Sequence, residues 1–414
     1  MVATLVLAPA SASARPPLPP GFIGISPQSP VSAREFSLMA EAGISSVRLP
    51  LFWNAVEPKS PSYAKPNWSN LDDEVSLAAE AGIRVMVVVT ASPPWVAPET
   101  IDLPVRTGFQ RQAWARFLRE AAQRYGPLGS FWSEHTKLPF LPIRTWEIWN
   151  EENLVTWARE PNPTEYATLL RIAGRTLHRV DSGSQVLIGG FFGQPLQIPP
   201  NVGSDTFLRG IYRAGNVKPY FDGVALHPYV ANADGMGHQL TVLRRIMNAH
   251  GDRATPLYVT ELGWGSAAGP TRWEVGVQGQ ANELNRSFAL LSANRVRWNV
   301  RGAWWFSWSD EGGTCLFCGS AGLLTTKREA KPSWYRFNEW TGGDAAIVPR
   351  ARLSTLQAEE EERSSAKSSS TKKRAAGSSR SPKTRSATAR TAAALVNRSS
   401  PASSRTSSSS SPTR

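Results

Sequence analysis

The chain has 414 residues, 41% of them hydrophobic, with 16 Trp and 2 Cys, which is enough for one large domain plus a tail or for two ordinary domains. Its net charge of +13 does not make it a specific nucleic-acid binder, because residues 351–414 alone hold 13 Lys/Arg against 4 Glu and leave only +4 for the rest. Beyond the first residues, no segment is long and apolar enough to span a membrane.

Residues 1–20 read as a partial signal peptide and leader. An apolar run, Val2 to Ala10, precedes an Ala-x-Ala pattern at Ala12-Ser13-Ala14. No basic stretch comes before it, so either the start is placed late or the run is a chance apolar leader; the first reading is preferred. It points to a secreted or cell-envelope protein.

From residue 21, short apolar runs alternate with amphipathic helical patterns eight times. The strand-like runs are 22–25, 46–49, 85–90, 145–149, 186–188, 223–226, 257–260 and 302–306. The helical patterns are 32–42, 70–81, 109–125, 163–180, 205–214, 236–250, 273–295 and 332–340. Strands this short and this apolar fit a parallel sheet covered on both faces. The spacing predicts an α/β fold, a single closed (β/α)₈ TIM barrel over 21–345. The loop after the first run, Ser26-Pro27-Gln28-Ser29-Pro30, has no glycine, which argues against a dinucleotide-binding sheet. Long loops at 52–69, 91–108, 152–162 and 191–204 follow strands, where a barrel builds its active site.

Cys315 and Cys318 lie in a Gly-rich loop. One C-x₂-C cannot complete a four-ligand zinc site, and a short loop disulfide is the simplest expectation for an exported chain. The His residues show no metal-ligand spacing, and no metal or cofactor is expected. Residues 346–414, rich in Ser, Lys and Arg, read as a disordered basic tail that buries too little apolar surface to order itself. It offers contact with a cell wall or another anionic surface rather than with a specific nucleic acid.

Two glutamates stand at strand ends. Trp149-Asn150-Glu151-Glu152 closes the fourth strand, and Thr260-Glu261-Leu262 closes the seventh. These strands face each other across a barrel mouth. Glycosidic cleavage needs two such carboxyls, one to protonate the leaving oxygen and one to attack the anomeric carbon. Period two puts Glu147, Trp149 and Glu151 on one face and Glu152 on the other. Glu147 is expected deeper, as a structural carboxylate paired with an Arg such as Arg48. Trp53, Trp95 and Trp264 follow strands and are read as core or loop packing before subsite walls.

These motifs, spaced over residues 21–340, resemble those of glycoside hydrolase clan A, families 5 and 39 above all. The resemblance implies a retaining O-glycosidase acting on a β-linked oligo- or polysaccharide, and the chain is expected to be a monomer. It implies Glu151 as acid/base and Glu261 as nucleophile. Arg48 is implied as support for the nucleophile's charge, with His227 and Tyr229 beside it. Asn150 is placed to contact the sugar 2-hydroxyl, and Trp305 or Trp308 to floor the sugar site. Glu152 stands where a Pro often follows the Asn-Glu pair, which leaves a one-residue slip of the acid/base open. A transglycosylase using the same pair, or an inactive carbohydrate-binding barrel, are the alternatives.

Overall fold

The computed structural model describes residues 18–193, 199–312 and 315–377. Most of the expected leader, up to residue 17, lies outside them, as does the tail beyond 377. The eight strands are β1 (Ile23–Ile25), β2 (Ser46–Phe52), β3 (Arg84–Thr90), β4 (Thr145–Asn150), β5 (Gln185–Phe192), β6 (Gly223–His227), β7 (Leu257–Leu262) and β8 (Val300–Trp305). All are parallel and pair in sequence order, and β8 returns to β1 to close the barrel. The expected (β/α)₈ TIM barrel is therefore the observed fold.

Each strand is followed by a helix on the outside: Ala33–Glu41, Ser69–Glu80, Gly108–Tyr125, Pro163–Val180, Ser204–Arg213, Ala233–Ala249, Gly276–Trp298 and Pro332–Thr341. Local chemistry sets their ends. Ser32 and Glu35 form a capping box at the first helix, and Thr107 and Gln110 form another at the third. Asn162 caps the helix that Pro163 opens. Gly43 and Gly82 take left-handed φ of 74° and 72° just past two helix ends, where a side chain would be strained. Asn232 accepts from Gly235 N and starts its helix at Ala233, earlier than the apolar pattern indicates.

The core has two zones. Between strands and helices lies the main cluster, where Phe117 stacks on Trp53 and Trp68 at 5.1 and 5.6 Å. Inside the barrel, Met86, Leu187, Ala225, Tyr258 and Trp304 form a small apolar plug near the strands' N-terminal ends. Above it the interior turns polar, with Arg48, Glu147, His227 and Thr260 all buried.

The chain divides into two units, 1–359 and 360–414. The sequence places everything from 346 in the tail, yet Pro349–Gly377 forms a helix. Its composition permits this: residues 351–376 contain no Gly or Pro, and Ala, Glu, Lys and Arg supply 15 of the 26 positions. In the first unit, Arg352 anchors this helix by binding Glu41 at 2.6 Å. Among the described residues, no helix is long and apolar enough to cross a membrane. The Cys315–Cys318 disulfide expected from sequence is present.

Phe117→Ala, which removes a fully buried ring, is expected to destabilise the barrel by about 3–5 kcal/mol. Urea unfolding of parent and variant measures this, and a loss under 1 kcal/mol would show that the ring is not packed as described.

Candidate active site

Two breaks in strand alternation build the site. In β4, Glu147 points into the barrel and Ile148 points out to the main core. Trp149 and Glu151 then take positive φ of 71° and 42°. Trp149 consequently packs outward against Trp114 at 6.4 Å, and its Nε1 donates to the Trp157 carbonyl. It does not share the face of Glu147, as simple alternation predicts. Asn150 and Glu151 are left in the mouth. In β7 the register against β8 shifts between Val259 and Leu262, and Thr260 and Glu261 both reach inward. Such irregularities at strand ends re-aim side chains.

Arg48 from β2 lies at the centre. Its Nε donates to Glu147 Oε2 at 2.8 Å, Nη2 donates to Asn150 Oδ1 at 2.8 Å, and Nη1 donates to Glu261 Oε1 at 2.7 Å. Burial would lower its pKa, but the attraction of Glu147 and Glu261 raises it further. Glu147 also accepts from Gly190 N at 2.8 Å and Thr260 Oγ1 at 3.2 Å. Burial pushes its carboxyl up, yet Arg48 and His227 outweigh that and hold it at about 2. Its expected structural pairing with Arg48 is what the structure contains.

Glu261 is gripped from two sides, since Tyr229 OH donates to its Oε2 at 2.6 Å while Arg48 holds Oε1. Burial and the adjacent Glu261 charge keep the Tyr229 hydroxyl well above its usual range, so it stays a neutral donor. His227 Nδ1 lies 2.8 Å from Glu151 Oε1, and its Nε2 lies 3.1 Å from Thr260 Oγ1. Burial would lower the imidazole pKa, but Glu261, Glu147 and Glu151 lift it to about 9. His227 is thus an imidazolium at neutral pH and donates to Glu151. The Glu151 carboxyl is raised first by burial and then by the Glu261 charge, against the pull of His227.

Oxygens of Glu151 and Glu261 and a ring nitrogen of His227 all lie within 4.8 Å of one another. That donor set resembles a cation site, but Arg48 and the charged His227 already supply its positive charge. A metal ion bound there would have to take the place of a proton on His227.

Glu152 is fully buried and turned away from the mouth. A Cβ at Gly189 would meet its Oε2 at 2.3 Å, so only glycine leaves room for it beside β5. Its carboxyl oxygens have no hydrogen-bond partner among the described residues. Burial, with Glu147 nearby, pushes its pKa well above the carboxylate range. Of the two neighbouring glutamates, the structure brings Glu151 and not Glu152 to the mouth.

The tryptophans expected to floor the site do not reach it. Trp304 belongs to the interior plug, so its neighbour Trp305 points outward and packs 6.2 Å from Trp264, fully buried. Trp308 donates to Glu35 outside the barrel and packs on Trp334. The aromatic that does flank the site is Phe306, 6.1 Å from Tyr229 and joined by Phe317, Trp273 and Phe192. Its signal was legible as period two from Trp304. Trp53 and Trp264 are core, as expected, and Trp95 is partly buried against Trp53 at 6.0 Å.

Residues 28–113 match the family model described as beta-galactosidase. No curated protein matches the chain. Among solved structures, the chain is similar to a family 39 glycoside hydrolase from the gut symbiont Bacteroides cellulosilyticus WH2. Identity is 22%, the TM-score is 0.59, and the match covers 78% of this chain and 63% of that one. A monomeric beta-xylosidase from Caulobacter crescentus CB15 follows, at 18% identity, TM-score 0.57, and coverage of 79% and 68%. A glucosidase from Croceicoccus marinus has 15% identity, TM-score 0.57, and coverage of 80% and 68%. The chain thus spans less than two thirds of the length of the family 39 protein. The likeness is one of fold: the chain shares its closed barrel with these solved glycoside hydrolases.

The raised Glu152 carboxyl has a consequence for stability. The folded chain keeps this proton above pH ~4.3, where the unfolded chain releases it, so stability falls as pH rises past that value. Glu152→Gln removes the penalty. Its thermal midpoint should exceed the parent's at pH 8 by a margin that shrinks toward pH 4. A margin independent of pH would show that Glu152 is not held neutral.

Proposed function

We propose that the chain hydrolyses a β-linked O-glycoside with retention of configuration, with Glu261 as nucleophile and Glu151 as acid/base. The observation that carries this reading is that an oxygen of Glu151 and an oxygen of Glu261 lie within 4.8 Å of each other across the mouth, which favours the closer of the two known carboxyl spacings. Retaining enzymes hold their pair about 5–5.5 Å apart, whereas inverting ones need about 6.5–9.5 Å to admit water between them.

In the first step Glu151 protonates the glycosidic oxygen while Glu261 attacks the anomeric carbon. The C–O bond to the leaving group breaks as the bond to Glu261 forms. Arg48 and Tyr229 orient the attacking carboxylate and hold it ready for a single geometry. Asn150 spends its oxygen on Arg48 and keeps its amide hydrogens for a hydroxyl beside the reacting carbon. Once Glu261 is esterified its charge is gone, and one of the influences raising the Glu151 pKa disappears with it. Glu151, still hydrogen-bonded by the His227 imidazolium, then takes a proton from water. That water cleaves the ester and restores both carboxyls.

Glu261→Ala should reduce cleavage of an activated aryl β-glycoside by roughly a thousandfold or more. Glu151→Ala should spare much of the first step, because a good leaving group needs little acid help. Its turnover should then be limited by deglycosylation and restored by azide, with a β-glycosyl azide as product. Unimpaired Glu261→Ala, or an inverted product by NMR, defeats the assignment.

A further inference from the structure

The opposite end of the barrel holds a second cavity, of about 460 Å³, beneath the apolar plug. Its inner wall is Tyr258 and Trp304, both nearly buried. Both present fixed polar ends: Tyr258 OH donates to Gln185 Oε1 at 3.2 Å, and Trp304 Nε1 donates to Ser46 Oγ at 3.2 Å. Phe140, 58% exposed, stands at the edge.

Three arginines line this cavity: Arg84 at the start of β3, Arg144 just before β4, and Arg301 near the start of β8. Gly21, Ser45 and Ser46 lie among them in the wall, and their small size leaves the space open. No carboxylate lines it. Arg144 has Asp181 only at 3.9 Å. Arg84 and Arg301 make no ion pair with any described residue. Elsewhere on this barrel the arginines commonly sit on carboxylates at 2.5–2.9 Å, as Arg116, Arg124, Arg286 and Arg352 do. Three exposed guanidinium groups ring one concave, aromatic-backed space, with Asp181 beside Arg144 as the one carboxylate paired with any of them among the described residues, and their excess positive charge favours an anion. Their planar forks match the two oxygens of a carboxylate or phosphate.

We propose that this cavity binds a ring-sized organic anion, a sugar carrying a carboxylate or phosphate group. The oxyanion is held among Arg84, Arg144 and Arg301, and the ring lies toward Tyr258, Trp304 and Phe140. The site is independent of the catalytic reading, because the buried plug separates it from the mouth.

Titration calorimetry on the full chain tests it with galacturonate oligomers, glucose 6-phosphate and neutral glucose. One of the two anions should bind, and the binding should weaken with salt; which anion binds identifies the source. Neutral glucose should not bind. The Arg84→Ser/Arg301→Ser double variant should lose at least tenfold in affinity while keeping the parent's melting temperature and glycosidase turnover. Arg84→Lys, which keeps the charge and loses the fork, should fall between the two. Failure of both anions to bind overturns the proposal. So does binding that survives in the double variant, which would place the anion on the basic C-terminal residues.

Discussion

A guanidinium inside a parallel barrel has to be neutralised where water cannot do it, and Arg48 finds two carboxylates and an amide for that purpose. Removing one partner of such a buried cluster costs far more than the pair contributes over an apolar pair, because a bare charge is left behind. Glu147, Asn150 and Glu261 are therefore tied to one another through a single side chain from β2. The ring of contacts joins four strands, since Glu147 also binds Gly190 of β5. The geometry of the mouth is thus a by-product of charge satisfaction below it.

His227 and Tyr229 extend this arrangement from the β6 side. The imidazolium meets Glu151, and the phenol meets Glu261. Two chemically identical acids thereby receive different partners. Glu261 is held by a permanent cation and a neutral donor. Glu151, more deeply buried, rests on one cation that can itself titrate. Separate environments for a pair of like groups are the physical basis for giving them different proton-transfer duties.

Much of this was legible in the residues. The eight alternations, the end positions of Glu151 and Glu261, and the deeper Glu147 follow from periodicity and charge alone. What alternation could not supply were its own failures. The turn of Trp149 out of the barrel depends on a positive φ at a non-glycine residue, which no propensity announces. Glu261 reaches the mouth through a register shift between two strands distant in sequence. The displacement of Trp305 in favour of Phe306 is different in kind. There period two was right, and the resemblance to a family pattern pointed to the wrong ring. Likewise β5 runs to Phe192 rather than ending at 188, because Gly189 and Gly190 break the apolar run while leaving room for Glu152 and His227.

The plug of Met86, Leu187, Ala225, Tyr258 and Trp304 makes the barrel a blind well. Glu151 and Glu261 are therefore closed off from the N-terminal end of the strands, and any molecule that meets them comes from the opposite end.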